Sequence, residues 1–158
     1  MGTSADRPNR IPWPPVVLAS ALVAGIVLGR YVPLSWPAGM GADILQGAGI
    51  VLIVVAAVLV LSALHVMRKA DTTARPDRPA RHLVTGGPFA FTRNPIYLAS
   101  VLLLAGLGLA LANGWLLLAA AATAFADHRL AILREEAHLE ARFGKAWRDY
   151  RKRVRRWL

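Results

Sequence analysis

The chain contains no cysteine among its 158 residues. This excludes a disulfide framework, a cysteine nucleophile and a thiolate metal site. Acidic residues are also scarce, with nine against nineteen lysines and arginines, so the formal net charge is +10. Only 18% of the residues are charged while 56% are hydrophobic, and the mean hydropathy is +0.44. The positive charge must therefore be concentrated in a few segments of an otherwise apolar chain.

Long apolar runs decide between the two partners that a basic protein usually has, nucleic acid and an anionic membrane surface. Residues 11–29 form one run, and residues 44–67 form a second that is long enough to cross a bilayer core of about 30 Å. A cleaved signal peptide is the alternative for the first run, but no A-x-A cleavage site follows it. We predict two N-terminal transmembrane helices within residues 11–67 and no nucleic-acid partner.

A tight turn divides the later apolar region. Residues 96–112 and 115–126 are separated by Asn113-Gly114, a strong turn signal, and the second run can continue helically to Leu133. This pattern predicts a helical hairpin. The sequence thus indicates an all-α integral membrane protein with about four transmembrane helices.

The positive residues predict an orientation. Lysine and arginine number six in residues 68–95 and ten in residues 127–158, but only one in residues 30–43. In a four-span topology both rich segments lie on the same side as residues 1–10, which the positive-inside tendency identifies as cytosolic. We expect an inner (cytoplasmic) membrane protein whose C-terminal half, residues 68–158, presents its site to the cytosol.

The C-terminal segment combines charge with helical periodicity. Phe143-Gly144 is typical of a helix end, with glycine after the last turn. An aromatic face opposite a basic face then predicts an amphipathic helix lying in the membrane interface. The residues of the apolar face are Trp147, Tyr150, Val154 and Trp157.

A polar stretch, residues 82–97, lies where a simple membrane anchor needs none. Taken singly, its residues have ordinary explanations: His82 is typical of a solvated loop, and Arg93 of a positive flank. Pro95 suits the first turn of a helix. These explanations leave Asn94 unaccounted for.

Glu135 and Glu136 are the other unusual feature. Adjacent carboxylates on a helix point about 100° apart, so they cannot both face one partner. Glu136 and Glu140 form a like-charge pair that is mildly destabilising unless it is offset. The alternative to a function is a charged face neutralised by Arg129, Arg134 and Arg142. Three other ionisable residues near predicted helix ends are interpreted as mainly structural: His65, Asp127 and His128.

Together these features resemble a known pattern. Residues 82–97 are similar to the signature H-x-x-x-x-G-P-[YF]-x-x-x-R-[HN]-P-x-Y of the isoprenylcysteine carboxyl methyltransferase family, in its prokaryotic form. The segment from Glu135 to Trp157 resembles the family's tail, E-E-x-x-L-x-x-x-F-G-x-x-[YW]-x-x-Y-x-x-x-V-x-R-[WY]. The resemblance covers about residues 80–158.

The resemblance implies an S-adenosylmethionine-dependent methyltransferase acting on a small or lipophilic acceptor, with the bilayer as partner and no metal. The acceptor group can be a thiol, a carboxylate or an amine. Asn94 stands where eukaryotic isoprenylcysteine enzymes usually have histidine, which puts a prenylcysteine substrate in question. By position, the implied catalytic residues are Arg93, Glu135 and Glu136, and the implied cofactor-binding residues are His82, Leu83, Val84, Gly87, Pro88, Asn94 and Tyr97.

Two other functions remain open at this point. A nicotinamide-dependent membrane reductase would have a related helical arrangement but would favour more extensive phosphate-binding features. A non-enzymatic membrane scaffold accounts for the charge and the aromatic pattern, but leaves residues 82–97 and the paired glutamates unexplained.

Overall fold

The computed structural model of the chain describes residues 13–71 and 82–158. The predicted cytosolic N-terminus, residues 1–10, lies outside the described part. Within the described residues the protein is helical, without strands apart from one isolated bridge between Thr92 and Arg155. The α-helices are α1 (Trp13–Tyr31), α2 (Met40–Lys69), α3 (Pro95–Ala110), α4 (Gly114–Asp127), α5 (Leu133–Phe143) and α6 (Lys145–Arg153).

Three helical segments are long and apolar enough to cross a membrane: α1, α2 and the continuous stretch Gly114–Phe143. Helix α3 is apolar but has only 16 residues, about 24 Å at 1.5 Å per residue. The all-α class is confirmed, and the third predicted span is shorter than the other three.

The hairpin predicted at Asn113-Gly114 is confirmed. Ala112 takes a left-handed conformation (φ 51°), and the Asn113 N–H donates to the Gly108 carbonyl at 2.8 Å. The Asn113 side chain then caps α4 by accepting from the Trp115 N–H at 3.0 Å. These bonds reverse the chain within three residues and set α3 and α4 side by side.

Helices α2 and α3 approach each other where both carry glycine. A Cβ placed on Gly49 would lie 2.5 Å from the Ala110 nitrogen, and one on Gly106 would lie 2.8 Å from the Gly49 carbonyl oxygen. Small residues permit such close helix contacts in membranes. The valines and isoleucines of the opposite α2 face, including Val51, are exposed, as expected of lipid-facing positions.

The C-terminal helix corrects one expectation. Helix α6 ends at Arg153, and Val154 is extended (φ −119°, ψ 131°), so the helix is shorter than the aromatic spacing predicts. Its aromatic residues do not face lipid, because Trp147 is only 2% exposed and Tyr150 only 3%. The amphipathic pattern is real, but its apolar side packs against the protein.

Candidate active site

The loop before α3 is shaped by glycine and proline. Gly87 has φ 59°, in the left-handed region, and begins a short 3₁₀ turn, Gly87–Ala90, with Pro88 in its first turn. A Cβ at Gly87 would lie 2.8 Å from Val66 Cγ2, so the loop lies directly against the end of α2. This packing fixes where the polar residues that follow can project.

The tail segment, defined here as residues 154–158, closes over this loop. The Arg93 N–H donates to the Arg155 carbonyl at 2.9 Å. The Arg156 carbonyl accepts from Thr92 Oγ1 at 3.1 Å and from Asn94 Nδ2 at 2.9 Å. Both side chains are buried. The tail segment and the loop therefore form one structural unit.

A three-residue ionic network lies beneath this junction. Arg156 donates to both carboxylate oxygens of Glu136, from Nε at 2.9 Å and from Nη2 at 2.7 Å. Arg93 Nη1 lies 3.1 Å from Glu136 Oε1, and the Arg93 side chain is only 8% exposed. Two guanidinium groups thus share one carboxylate, which leaves one net positive charge.

Local environment acts differently on the two arginines. Burial lowers the pKa of Arg93, with Glu136 opposing the shift. The hydrogen bonds to Glu136 raise the pKa of Arg156. Both groups remain cations at neutral pH, because an arginine pKa lies far above it.

Buried N–H donors of Arg93 and of its neighbour Trp147 have no hydrogen-bond partner among the described residues. One of these donors is Arg93 Nε. The Nη1 is at ion-pair distance from Glu136, yet its N–H bonds are not aimed well enough for a hydrogen bond. The Arg93 guanidinium carbon lies 5.7 Å from the ring centroid of Trp147, whose buried Nε1 is also without a partner. Buried donors of this kind indicate a missing acceptor, and an anionic or polar ligand group is the natural one.

Glu135 points to a different partner from Glu136, as helix geometry predicts. Its Oε1 accepts from the Tyr97 hydroxyl at 2.6 Å, which connects α5 to the first turn of α3. Tyr97 packs with Ala131 and Ile132, and Trp157 of the tail segment packs against the same cluster. The two glutamates therefore hold two different walls of one site.

In its described part, the structure does not show the charged face neutralised along its own helix that the sequence left open as an alternative. Glu140 pairs with Arg151 at 3.1 Å and lies 3.9 Å from Arg148, both on α6. Glu136 pairs across the fold instead. None of the ion pairs in the described ranges joins Glu136 or Glu140 to the proposed neutralising residues, Arg129, Arg134 and Arg142.

The structure brings some predicted residues together and leaves others apart. Arg93, Asn94, Tyr97, Glu135 and Glu136 converge at the ends of α3 and α5. Earlier in the loop, His82 and Gly87 are exposed, while Leu83, Val84 and Pro88 are half-buried. Their contact with a cofactor stays a prediction, as does any such role for Asn94, whose amide binds the tail segment.

Sequence reasoning did not place two residues, Arg156 and Trp147, at the centre of this site. Arg156 was visible as the arginine of the tail motif, but nothing in its spacing shows that it binds Glu136. Trp147 was assigned to a lipid-facing stripe. The signal that could have indicated its burial is the almost wholly basic opposite side of the same helix. That side offers an aromatic ring no apolar partner, so the ring has to pack against the protein.

Comparison with known protein families shows which family the chain belongs to. The sequence profile of the phospholipid methyltransferase family matches residues 45–146. The chain belongs to the phospholipid methyltransferase family. The match covers well over half of the chain and includes most of α2, the loop, Arg93 and both glutamates. No curated protein and no solved structure matches the chain.

Family membership confirms the motif-based resemblance at a coarser level. The phospholipid methyltransferase family belongs to the same superfamily of membrane methyltransferases as the isoprenylcysteine carboxyl methyltransferases. The isoprenylcysteine branch itself stays a prediction. With its long apolar helices, the chain is an integral membrane protein of a methyltransferase family.

Proposed function

We propose that the protein transfers a methyl group from S-adenosylmethionine to a small or lipophilic acceptor at the cytosolic face of an inner (cytoplasmic) membrane. The observation that carries this proposal is the buried Arg93 guanidinium, held at Glu136 yet with unpartnered N–H groups. A structural arginine has no need of unpaired donors, whereas a ligand-binding arginine retains them for its ligand.

The residues present fit such a cofactor. S-adenosylmethionine carries a carboxylate, and the buried donors Arg93 Nε and Trp147 Nε1 match an anionic acceptor. The net positive charge of the Arg93–Glu136–Arg156 network favours the same group. When bound, the cofactor supplies an activated methyl group on a sulfonium centre.

The chain's own contribution is positioning. Methyl transfer is an in-line displacement, and holding donor and acceptor in line can be worth about 7 kcal/mol or more of the barrier. Glu136, itself held by Arg156, and the Trp147 ring keep Arg93 in place, and Arg93 orients the anionic group it binds. The tail segment covers the loop and keeps water from the buried guanidinium, which strengthens its electrostatic interactions.

A lipophilic acceptor would reach the site laterally from the bilayer. The outer faces of α1 and α2 are apolar and exposed, Tyr97 lies in the first turn of α3, and Arg93 lies in the loop just before it. An acceptor with a polar head and an apolar tail would lie with the tail in lipid and the head near Arg93. The reacting group can be a thiol, a carboxylate or an amine.

Ligand titration of the detergent-purified protein tests the proposal. We expect saturable calorimetric binding of S-adenosylhomocysteine and none of NADPH. The Arg93→Ala variant should lose at least about tenfold in affinity or turnover, because a charge-assisted hydrogen bond is worth roughly 1.5–3 kcal/mol. Arg142→Ala is the control, since Arg142 lies over the Phe143 ring and the ion pairs of Glu136 in the described residues are with Arg93 and Arg156.

The outcomes separate the alternatives. Binding of NADPH in place of S-adenosylhomocysteine would support a membrane reductase. Binding of neither ligand would support a scaffold. Equal affinity in wild type and Arg93→Ala would remove Arg93 from the site.

A further inference from the structure

Asp127 is an unexpected residue to find at the end of an apolar helix. It closes α4, its side chain is completely buried at 0% exposure, and neither carboxylate oxygen has a hydrogen-bond partner among the described residues. Thr123 precedes it by one helical turn, on the same face. The Thr123 hydroxyl is 1% exposed and also lacks a partner.

Burying the Asp127 carboxylate and the Thr123 hydroxyl without partners costs folding free energy unless a ligand binds them. Transferring an unpaired carboxylate into an apolar environment carries a large desolvation penalty, and an ionisable residue within a membrane span usually serves a function. No lysine, arginine or histidine in the described ranges forms an ion pair with Asp127. The missing partner is therefore best sought in a ligand.

The surroundings of Asp127 place it at the proposed active site. It interacts electrostatically with Glu135 and with the Tyr97 hydroxyl, the pair that joins α5 to α3. A π-helical turn, His128–Ile132, follows it directly. Such turns are rare, redirect side chains and occur often at functional sites.

This side of the site is opposite in charge to the side at Arg93. Asp127 and Glu135 supply two carboxylates, whereas the Glu136 side carries two guanidinium groups and one carboxylate. A search of the described residues finds no group of three acidic, histidine or cysteine side chains that could hold a metal ion. The described charges favour an organic cation.

We propose that Asp127 and Thr123, beside Glu135, form a subsite for an alkylammonium group of a bound ligand. The inference rests on the proposed methyltransferase function. An ammonium group has three N–H donors, and the two Asp127 oxygens with Thr123 Oγ1 provide three acceptors. The ammonium belongs either to the amino-acid portion of the cofactor or to an amine-bearing acceptor.

Binding measurements distinguish these two sources. The probes are S-adenosylhomocysteine, which carries the ammonium group, and 5′-methylthioadenosine, which lacks the amino-acid portion. If the cofactor supplies the cation, Asp127→Asn should weaken binding of the first about tenfold or more and leave the second unchanged. Thr123→Val should weaken it in the same direction but less. Asp149→Asn, at an exposed position on α6, is the charge-matched control and should bind both ligands like wild type.

The second measurement tests the methyl acceptor as the source of the ammonium group, with phosphatidylethanolamine in vesicles as the substrate. If the acceptor supplies the cation, Asp127→Asn should leave S-adenosylhomocysteine affinity unchanged and raise the KM for phosphatidylethanolamine about tenfold or more. The inference is overturned if cofactor affinity is unchanged and phosphatidylethanolamine is either not methylated or methylated with an unchanged KM. An equal loss of both nucleoside ligands also overturns it, because that result reports a general disruption of the site.

Failure of the underlying function is recognised separately. If wild-type protein does not bind S-adenosylhomocysteine, the methyltransferase proposal fails before any variant is compared, and the ammonium subsite fails with it. If wild type binds and Asp127→Asn behaves identically in both measurements, only the subsite is rejected.

Discussion

Among single side chains, Arg156 acts on Arg93 through Glu136, the carboxylate that both arginines share. It satisfies both oxygens of Glu136, so the carboxylate cannot neutralise Arg93 completely. Buried ion pairs contribute little net stability once desolvation is included, but they can fix a specific geometry. We interpret Arg156 as a positioning residue that keeps Arg93 in place and available to a ligand.

Arg156→Gln tests this interpretation. With one guanidinium removed, Glu136 is free to bind Arg93 in its place, and S-adenosylhomocysteine affinity should fall about tenfold or more. Arg155→Gln is the adjacent control, because Arg155 is exposed and only its backbone contacts the loop. A restored affinity in Arg156→Lys would confirm a charge effect, and equal losses at both positions would contradict the interpretation.

Tyr150 gives a prediction about alkaline stability. Burial raises the pKa of Tyr150 from 10.0 to about 12, against the opposing effect of Arg93. Its hydroxyl donates to the Phe89 carbonyl at 2.7 Å. Because the folded-state pKa is the higher one, this stabilisation is fully present below pH 10 and is lost as the pH rises through about 12.

We therefore expect Tyr150→Phe to lower the melting temperature at pH 8, where the bond is intact, by the equivalent of about 1 kcal/mol. The difference between variant and wild type should shrink above pH 10. A difference independent of pH up to 12 would show that the hydroxyl does not donate to the loop.

The sequence predicted part of this residue-level arrangement. That Glu135 and Glu136 face different partners followed from helix geometry alone. Which residues these partners are depends on how three distant segments come together. Glu135 contacts Tyr97, and Glu136 contacts Arg93 and Arg156. No local spacing encodes that arrangement.

At the scale of elements, the α2–α3 contact requires glycine on both helices. It depends on Gly49 and Gly106, where the backbones approach too closely for any Cβ. Gly47, two residues earlier on α2, has open space around its Cβ position. Alanine substitutions at Gly49 and Gly47 therefore separate the effect of close packing from the effect of helix propensity.

We expect Gly49→Ala to destabilise the protein by about 1–3 kcal/mol, the range for overpacking a close contact. Gly47→Ala should be neutral or stabilising by up to about 1 kcal/mol, since alanine is the better helix former. Thermal unfolding in the same detergent measures both. Similar effects at the two positions would mean that the helices separate without cost.

The amphipathic pattern of α6 shows why an element's partner is harder to predict than the element. An apolar face looks the same in sequence whether it meets lipid or protein. Here the loop carbonyl of Phe89 and the Arg93 guanidinium supply partners that a bilayer does not, and the aromatic residues are buried against them. The helix existed as predicted, while its surroundings were determined by the tertiary fold.

For the whole molecule, the site depends on the tail segment as much as on the helices. Ending the chain after Val154 would remove the Arg155 and Arg156 carbonyl acceptors, the Glu136 ion pair and Trp157. We expect this variant to keep its helical circular dichroism but to lose S-adenosylhomocysteine binding. Removal of Leu158 alone, which is 74% exposed, should have no effect. Full binding by the longer truncation would contradict this dependence.

The overall orientation remains a prediction from charge. A reporter fused after Leu158 should be active in the cytosol, and one placed in the α1–α2 connection, residues 32–39, should be active on the opposite side. The opposite pattern would show that the sixteen positive residues of segments 68–95 and 127–158 do not direct insertion.

Much of the whole-molecule architecture was accessible from the sequence, because long apolar runs and the Asn113-Gly114 turn are local signals. The run of residues 96–112 also gave both ends of α3, Pro95–Ala110, to within two residues. The tail's return to the loop was inaccessible, because it rests on backbone hydrogen bonds that any residue type can make.

The junction between the tail segment and the loop also imposes an order on how the protein matures. Residues 155–157 are synthesised after the helices that they lock together, so the hairpin enters the bilayer before its site is closed. In that interval Arg93 lacks the cover of the tail segment and Glu136 lacks its pair with Arg156. The proposed methyltransferase site is therefore the last part of the fold to be completed.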